Sequence, residues 1–80
     1  MIRLATTTRL ATDAVIQAAV AFFGPGGVGL TVKECEAGCA SFEGAGGYVT
    51  VAACPAEGGT QVIVDAREWE TDARRFLAQI

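Results

Sequence analysis

Eighty residues and 8.2 kDa allow one domain at most, residues 1–80. Hydrophobic residues make up 51% of the chain and charged residues 19%, the balance of a folded rather than a disordered protein. There is no His, which excludes imidazole metal sites, and six Lys and Arg against nine Asp and Glu leave a net charge of −3. That charge argues against nucleic acid or an anionic membrane as partner, since both require local positive charge.

Ile2 to Ala5 is a short candidate strand, with Ile2 and Leu4 on one side. Thr8 to Thr12 offers several N-caps, Asp13 suits a first helical turn, and an apolar run follows to Phe23. The spacing predicts a helix over 9–23, ended by Gly24 as its C′ residue and by Pro25. The run from Ala14 to Phe23 is about half the ~20 residues a membrane span needs. Asp13 and Gln17 spoil it as a signal-peptide core, and no cleavage site follows. The expectation is a cytoplasmic protein with reduced thiols, and an odd set of three Cys fits it.

From Leu30 the period becomes two. Leu30 and Val32, Ala40 and Phe42, Val49 with Val51 and Ala53, and Val62 with Val64 each alternate with mostly polar residues. Glu36-Ala37-Gly38 reads as a three-residue hairpin loop, Gly44 to Gly47 as the next turn and Pro55 to Gly59 as the third. Such short connections make an antiparallel meander. A capping box at Asp65-Ala66-Arg67-Glu68 predicts a last helix, with Trp69, Ala73, Phe76 and Ile80 on one stripe.

The predicted fold is α+β, in the order β-α-β-β-β-β-α. It is a two-layer sandwich of an antiparallel four- to five-stranded sheet with both helices on one face. This order resembles the helix-grip arrangement, in particular one half of a TATA-binding-protein-like saddle. The resemblance covers nearly the whole chain but rests on element order alone. It carries over no functional residue, and the basic DNA-contacting surface of that family is missing here.

The first helix is unusually apolar. Ala14, Val15, Ala18, Ala19 and Phe22 form one stripe, and Ile16, Val20 and Phe23 form a second. Either the alanines are tolerated in water, or Ile16, Val20 and Phe23 are buried against a second subunit. Size favours the homo-oligomer, because a domain this small buries only about 60–65% of its surface on folding. On the sheet's open side, Tyr48 and Ile63 make a mildly apolar platform for a protein or small-ligand partner.

Strand parity places Cys35, Cys39 and Cys54 together on that open side, with Cys35 almost opposite Cys39. Three readings compete: inert small residues, a strained Cys35–Cys39 disulfide, and a thiolate metal site. Glu34 breaks the pattern, because simple alternation points it into the core. Either a cation such as Arg9 meets it or the strand bulges.

Gly24-Pro25-Gly26-Gly27-Val28-Gly29 spells a dinucleotide fingerprint but follows a helix and precedes a strand, the reverse of what phosphate binding needs. No cofactor is implied. Ser41 has no His partner, and no base–orienter pair is visible, which disfavours an acid–base enzyme. The reading is therefore a non-catalytic module that self-associates and binds a protein or small ligand. The alternative is a thiol redox or soft-metal site built from the three cysteines.

Overall fold

The computed structural model describes residues 2–80. Its elements are β1 (Ile2–Thr8), α1 (Thr12–Phe23), β2 (Thr31–Glu36), β3 (Cys39–Gly44), β4 (Gly47–Ala56), β5 (Gly59–Arg67) and α2 (Glu70–Gln79). The five strands form one antiparallel sheet in the order β1-β5-β4-β3-β2, with both helices on one side. The order β-α-β-β-β-β-α is the predicted one, and the sheet has five strands.

One face of β3, β4 and β5 is spent on the core, and β1 and β2 add the half-buried Ile2, Leu4 and Val32 at its margins. Phe42, Val49, Val51, Val62, Val64 and Ala66 are fully buried under the helices. Their ladder partners show why they share a face: Phe42 faces Val49, Val51 faces Val64, and Ala53 faces Val62. The chain's four phenylalanines then join the layers. Phe23 of α1 lies 5.5 Å from Phe42 of β3 and 5.3 Å from Phe76 of α2, ring centre to ring centre. Phe22 completes the set, at 4.9 Å from Phe23 and 5.7 Å from Phe76.

The core arc of α1 differs from the expected one. Val15, Ala19, Phe23 and Ile16 are all buried, and at about 100° per residue they fall within an arc of roughly 100°. The two stripes read from the sequence are halves of one buried face. Ile16 and Phe23 therefore belong to the chain's own core and offer nothing to a partner, while Val20 is half-buried against the same core. The back of the helix is Asp13, Gln17 and Ala21, so small and polar residues face water.

Element ends also move. β1 runs on to Thr8 because β5 is long enough to pair with it throughout, so α1 starts at Thr12 instead of residue 9. Gly24 is extended, with φ −73°, and the chain turns back through hydrogen bonds from Val28 N to Phe22 O and Leu30 N to Phe23 O. The expected capping box is absorbed into β5, which continues through Arg67, and α2 is capped at Trp69 without a side-chain hydrogen bond. Trp69 instead donates its indole N–H to Gly44 O at 3.1 Å, tying the start of α2 to the β3–β4 turn. The buried hydroxyls are satisfied: Thr8 donates to Ile80 O and Thr60 to Leu10 O.

The β3–β4 turn has two residues, with Gly44 paired to Gly47 and positive φ at both Ala45 (51°) and Gly46 (81°). That conformation suits an Asn-Gly pair, and an alanine there is strained. Ala45→Asn should raise stability by about 0.5–1 kcal/mol, read as a higher urea midpoint at unchanged slope. Phe23→Ala should cost about 3–5 kcal/mol. A chain of this size has only of the order of 4–12 kcal/mol in all, whereas Ala21→Glu on the exposed back should be nearly neutral.

Candidate functional site

The face of the sheet away from the helices is uncovered, and register decides what stands on it. From β1 to β2, one row reads Arg3, Asp65, Thr50, Ser41, Glu34, and the next reads Ala5, Ile63, Ala52, Cys39, Glu36. A third row is Arg67, Tyr48, Glu43, Thr31 from β5 to β2. The middle of this surface is low, built of Ser41, Thr50, Ala52 and Cys39, and its charges stand toward the margins.

A bulge in β2 places the acids. The register shifts between Val32, which faces Phe42, and Glu34, which faces Ser41. Lys33 is the extra residue. Without it Glu34 would share the buried side of Val32; with it Glu34 and Glu36 reach the open face. Of the two solutions weighed for Glu34, the bulge is the one found, and no hydrogen bond or ion pair among the described residues joins it to Arg9.

The same bulge moves Cys35. Its partner is Ala40, fully buried on the helix side, so Cys35 lies on that side at the sheet's exposed edge. The β2–β3 loop is also one residue shorter than expected, since Glu36 pairs with Cys39. Cys39 and Cys54 do share the open face, but Cys39 faces Ala52, two residues short of Cys54. That diagonal is about 7–8 Å, beyond comfortable disulfide range. The expected gathering of Cys35, Cys39 and Cys54 is thus divided between two faces. Among the described residues no three Cys, Asp or Glu come together as metal ligands.

Tyr48 and Ile63 both lie half-buried on the open face, four residues apart along their strands, so they mark its two halves and not one patch. Tyr48 is the floor of a hollow of about 870 Å³ at the corner formed by β2, β3, β4 and the end of β5. Ser41 and Thr50 extend that floor, and the walls include Thr31, Lys33, Glu34, Glu43, Arg67 and the Gly44–Gly47 turn. Sequence reasoning placed Tyr48 on this face but missed the hollow: Glu34 at an inward position hints at a bulge, yet alternation alone does not show that the bulge turns Lys33 and Glu34 toward Tyr48. A smaller groove of about 380 Å³ lies between the helices, lined by Ala21, Phe22, Gly27, Val28, Asp72 and Arg75. There Arg75 sits 5.8 Å from the centre of the Phe22 ring and bonds Asp72 at 3.1 Å.

At the other margin, Arg3 donates to both carboxylate oxygens of Asp65, at 2.8 and 3.4 Å. This hydrogen bond, and then the charge of Asp65, raise the Arg3 pKa further above its ordinary value, so Arg3 stays cationic at any working pH. The pair is exposed and positions the guanidinium more than it stabilises the fold.

Comparison with protein families, with curated proteins and with solved structures gives no match to this chain. The register of β2 makes one direct prediction. Mild oxidation followed by peptide mass mapping should yield no Cys35–Cys39 bridge within a molecule, since the two thiols leave opposite faces of the sheet. Recovery of that bridge in good yield would show that the bulge at Lys33 is wrong.

Proposed function

We propose that this chain is a non-catalytic, cytoplasmic module that self-associates through the free edge of β1 and binds a further ligand on its open sheet face. The observation that carries the reading is the contrast between the two edges of the sheet. Edge strands offer unpaired N–H and C=O groups, and proteins usually blunt them with bulges and charges. β2 is blunted in this way, with its bulge at Lys33 and with Glu34 and Glu36 beside it. β1 is not: it pairs with β5 over seven consecutive residues without a register shift. Its one charge is Arg3, held back toward Asp65.

The surroundings of β1 fit a second copy. Ile2 and Leu4 are only half-buried, and Leu77 of α2, the helix packed over β5 and β1, and Ile80 just past its end are likewise incompletely covered. A two-fold axis normal to the sheet brings β1 against β1 antiparallel with both helix layers on the same side. Parity then demands that paired residue numbers sum to an even value. With the axis at Ala5, Ile2 meets Thr8, Arg3 meets Thr7 and Leu4 meets Thr6 of the second copy, and no like charges oppose each other. Burial of the two apolar margins supplies the driving force, and the strand pairing supplies the register.

Self-association through α1 is not part of this reading, because Ile16 and Phe23 are already buried. Sedimentation at micromolar concentration should give twice the 8.2 kDa chain mass. Ala5 is exposed at the proposed axis, so Ala5→Lys and Ala5→Glu should each give a folded monomer, and an equimolar mixture of the two should restore a dimer. A wild-type monomer, or a dimer indifferent to both substitutions, would overturn the reading.

A further inference from the structure

The hollow beneath the β3–β4 turn runs from β2 to the end of β5 and takes no lining residue from β1, so pairing at that edge leaves it open. Its floor is formed by the half-buried Ser41, Tyr48 and Thr50. Its rim carries four exposed charges, Lys33, Glu34, Glu43 and Arg67, which sum to zero. Among the described residues, no hydrogen bond or ion pair occupies the side chains of these four. Charged heads at the rim and hydroxyls on the floor describe a polar site, and its zero net charge gives neither a polyanion nor a polycation an advantage.

The spacing is informative. Arg67 and Glu43 are both direct neighbours of Tyr48, on opposite sides of it. They stand two strand spacings apart, about 10 Å, and Glu34 on β2 is one strand further, about 14 Å from β5. Side chains that stand upright from the two strands keep about that backbone separation, which is longer than a single amino acid. An extended tripeptide spans at most about 10–11 Å between its ends. The volume, about 870 Å³, leaves room for its side chains.

We infer that this hollow is a binding site for a short zwitterionic peptide, with the peptide carboxylate toward Arg67 and its amino group toward Glu43 and Glu34. Arg67 supplies a planar fork suited to a carboxylate. Ser41 and Thr50 face the middle of the ligand and can donate to or accept from its amides. Lys33, beside Glu34 on the bulge, limits the pull of the two acids and so disfavours dications.

The test is an amide-resolved NMR titration of the full chain with triglycine, glycine, N-acetyl-triglycine and triglycine amide. Triglycine should shift the amides of Glu43, Tyr48 and Arg67 and saturate at millimolar concentration. Blocking either end should weaken binding by about tenfold or more. Arg67→Gln should remove the preference for the free acid over the amide, while its undisturbed spectrum elsewhere shows that it folds. The inference fails if no amide of the hollow moves at tens of millimolar triglycine, or if glycine and the blocked peptides bind as well as triglycine. Ala5→Lys should bind triglycine like wild type, so a failed dimer and a failed hollow remain separate results.

Discussion

In an antiparallel sheet, residues that face each other across a ladder must point to the same side, and a strand's two sides alternate without exception until a residue is inserted. Everything in this protein follows from how that rule is kept in four strands and broken in one. β1, β5, β4 and β3 keep it, and their inward residues form the floor on which both helices rest. β2 breaks it at Lys33. The break lets Val32 approach the core at one end while two acids face solvent at the other. An unpaired carboxylate in the core would cost several kcal/mol, so the bulge is the cheaper arrangement. It also kinks and charges an edge that would otherwise accept another strand.

The helix layer answers a different constraint. Two short helices must cover a five-stranded sheet, and valine and alanine alone leave a shallow layer. The four phenylalanines fill the depth: α1 brings two, α2 one and β3 one, and Phe23 touches each of the other three. Because Phe23 touches both the sheet and α2, it locks the two helices and the sheet to a common position. The price is an α1 whose buried arc is wide, and whose solvent face must then be made of Ala, Gln and Asp.

This shows which parts of the molecule were legible in the residues. Period-two alternation and glycine-rich turns revealed the strands and the meander of the last four, because those signals are local, whereas the place of β1 beside β5 is a long-range pairing they do not carry. The β3–β4 register was also readable, since Gly44 to Gly47 admits few turn geometries and sets Glu43 against Tyr48. What could not be read was any feature that depends on one residue more or less. A two-residue loop at Ala37-Gly38 in place of three, and one extra residue at Lys33, both changed the partner of Cys35. Glu34 was the visible symptom: a charge at an inward position signals a bulge, and following that signal moves Cys35 off the open face. The two stripes of α1 failed for a related reason. A helix that crosses a sheet under large aromatics buries a broader arc than one seam, and amphipathicity alone does not give its width.

Sheet architecture also separates the two proposed activities in space. An open antiparallel sheet has two edges and one free face, and each supports a different chemistry. The β1 edge offers repeating backbone groups and half-covered aliphatic residues, which suit another strand of the same chain. The β2 corner offers side-chain charge and hydroxyls, which suit something small and polar. Because the bulge both closes the β2 edge to strands and turns Glu34 toward the hollow, one inserted residue performs both tasks. Trp69, bonded to Gly44 O from beneath, fixes the turn that forms the hollow's upper wall. The site thus rests on the helix layer for its position, although no helix contributes a side chain to it.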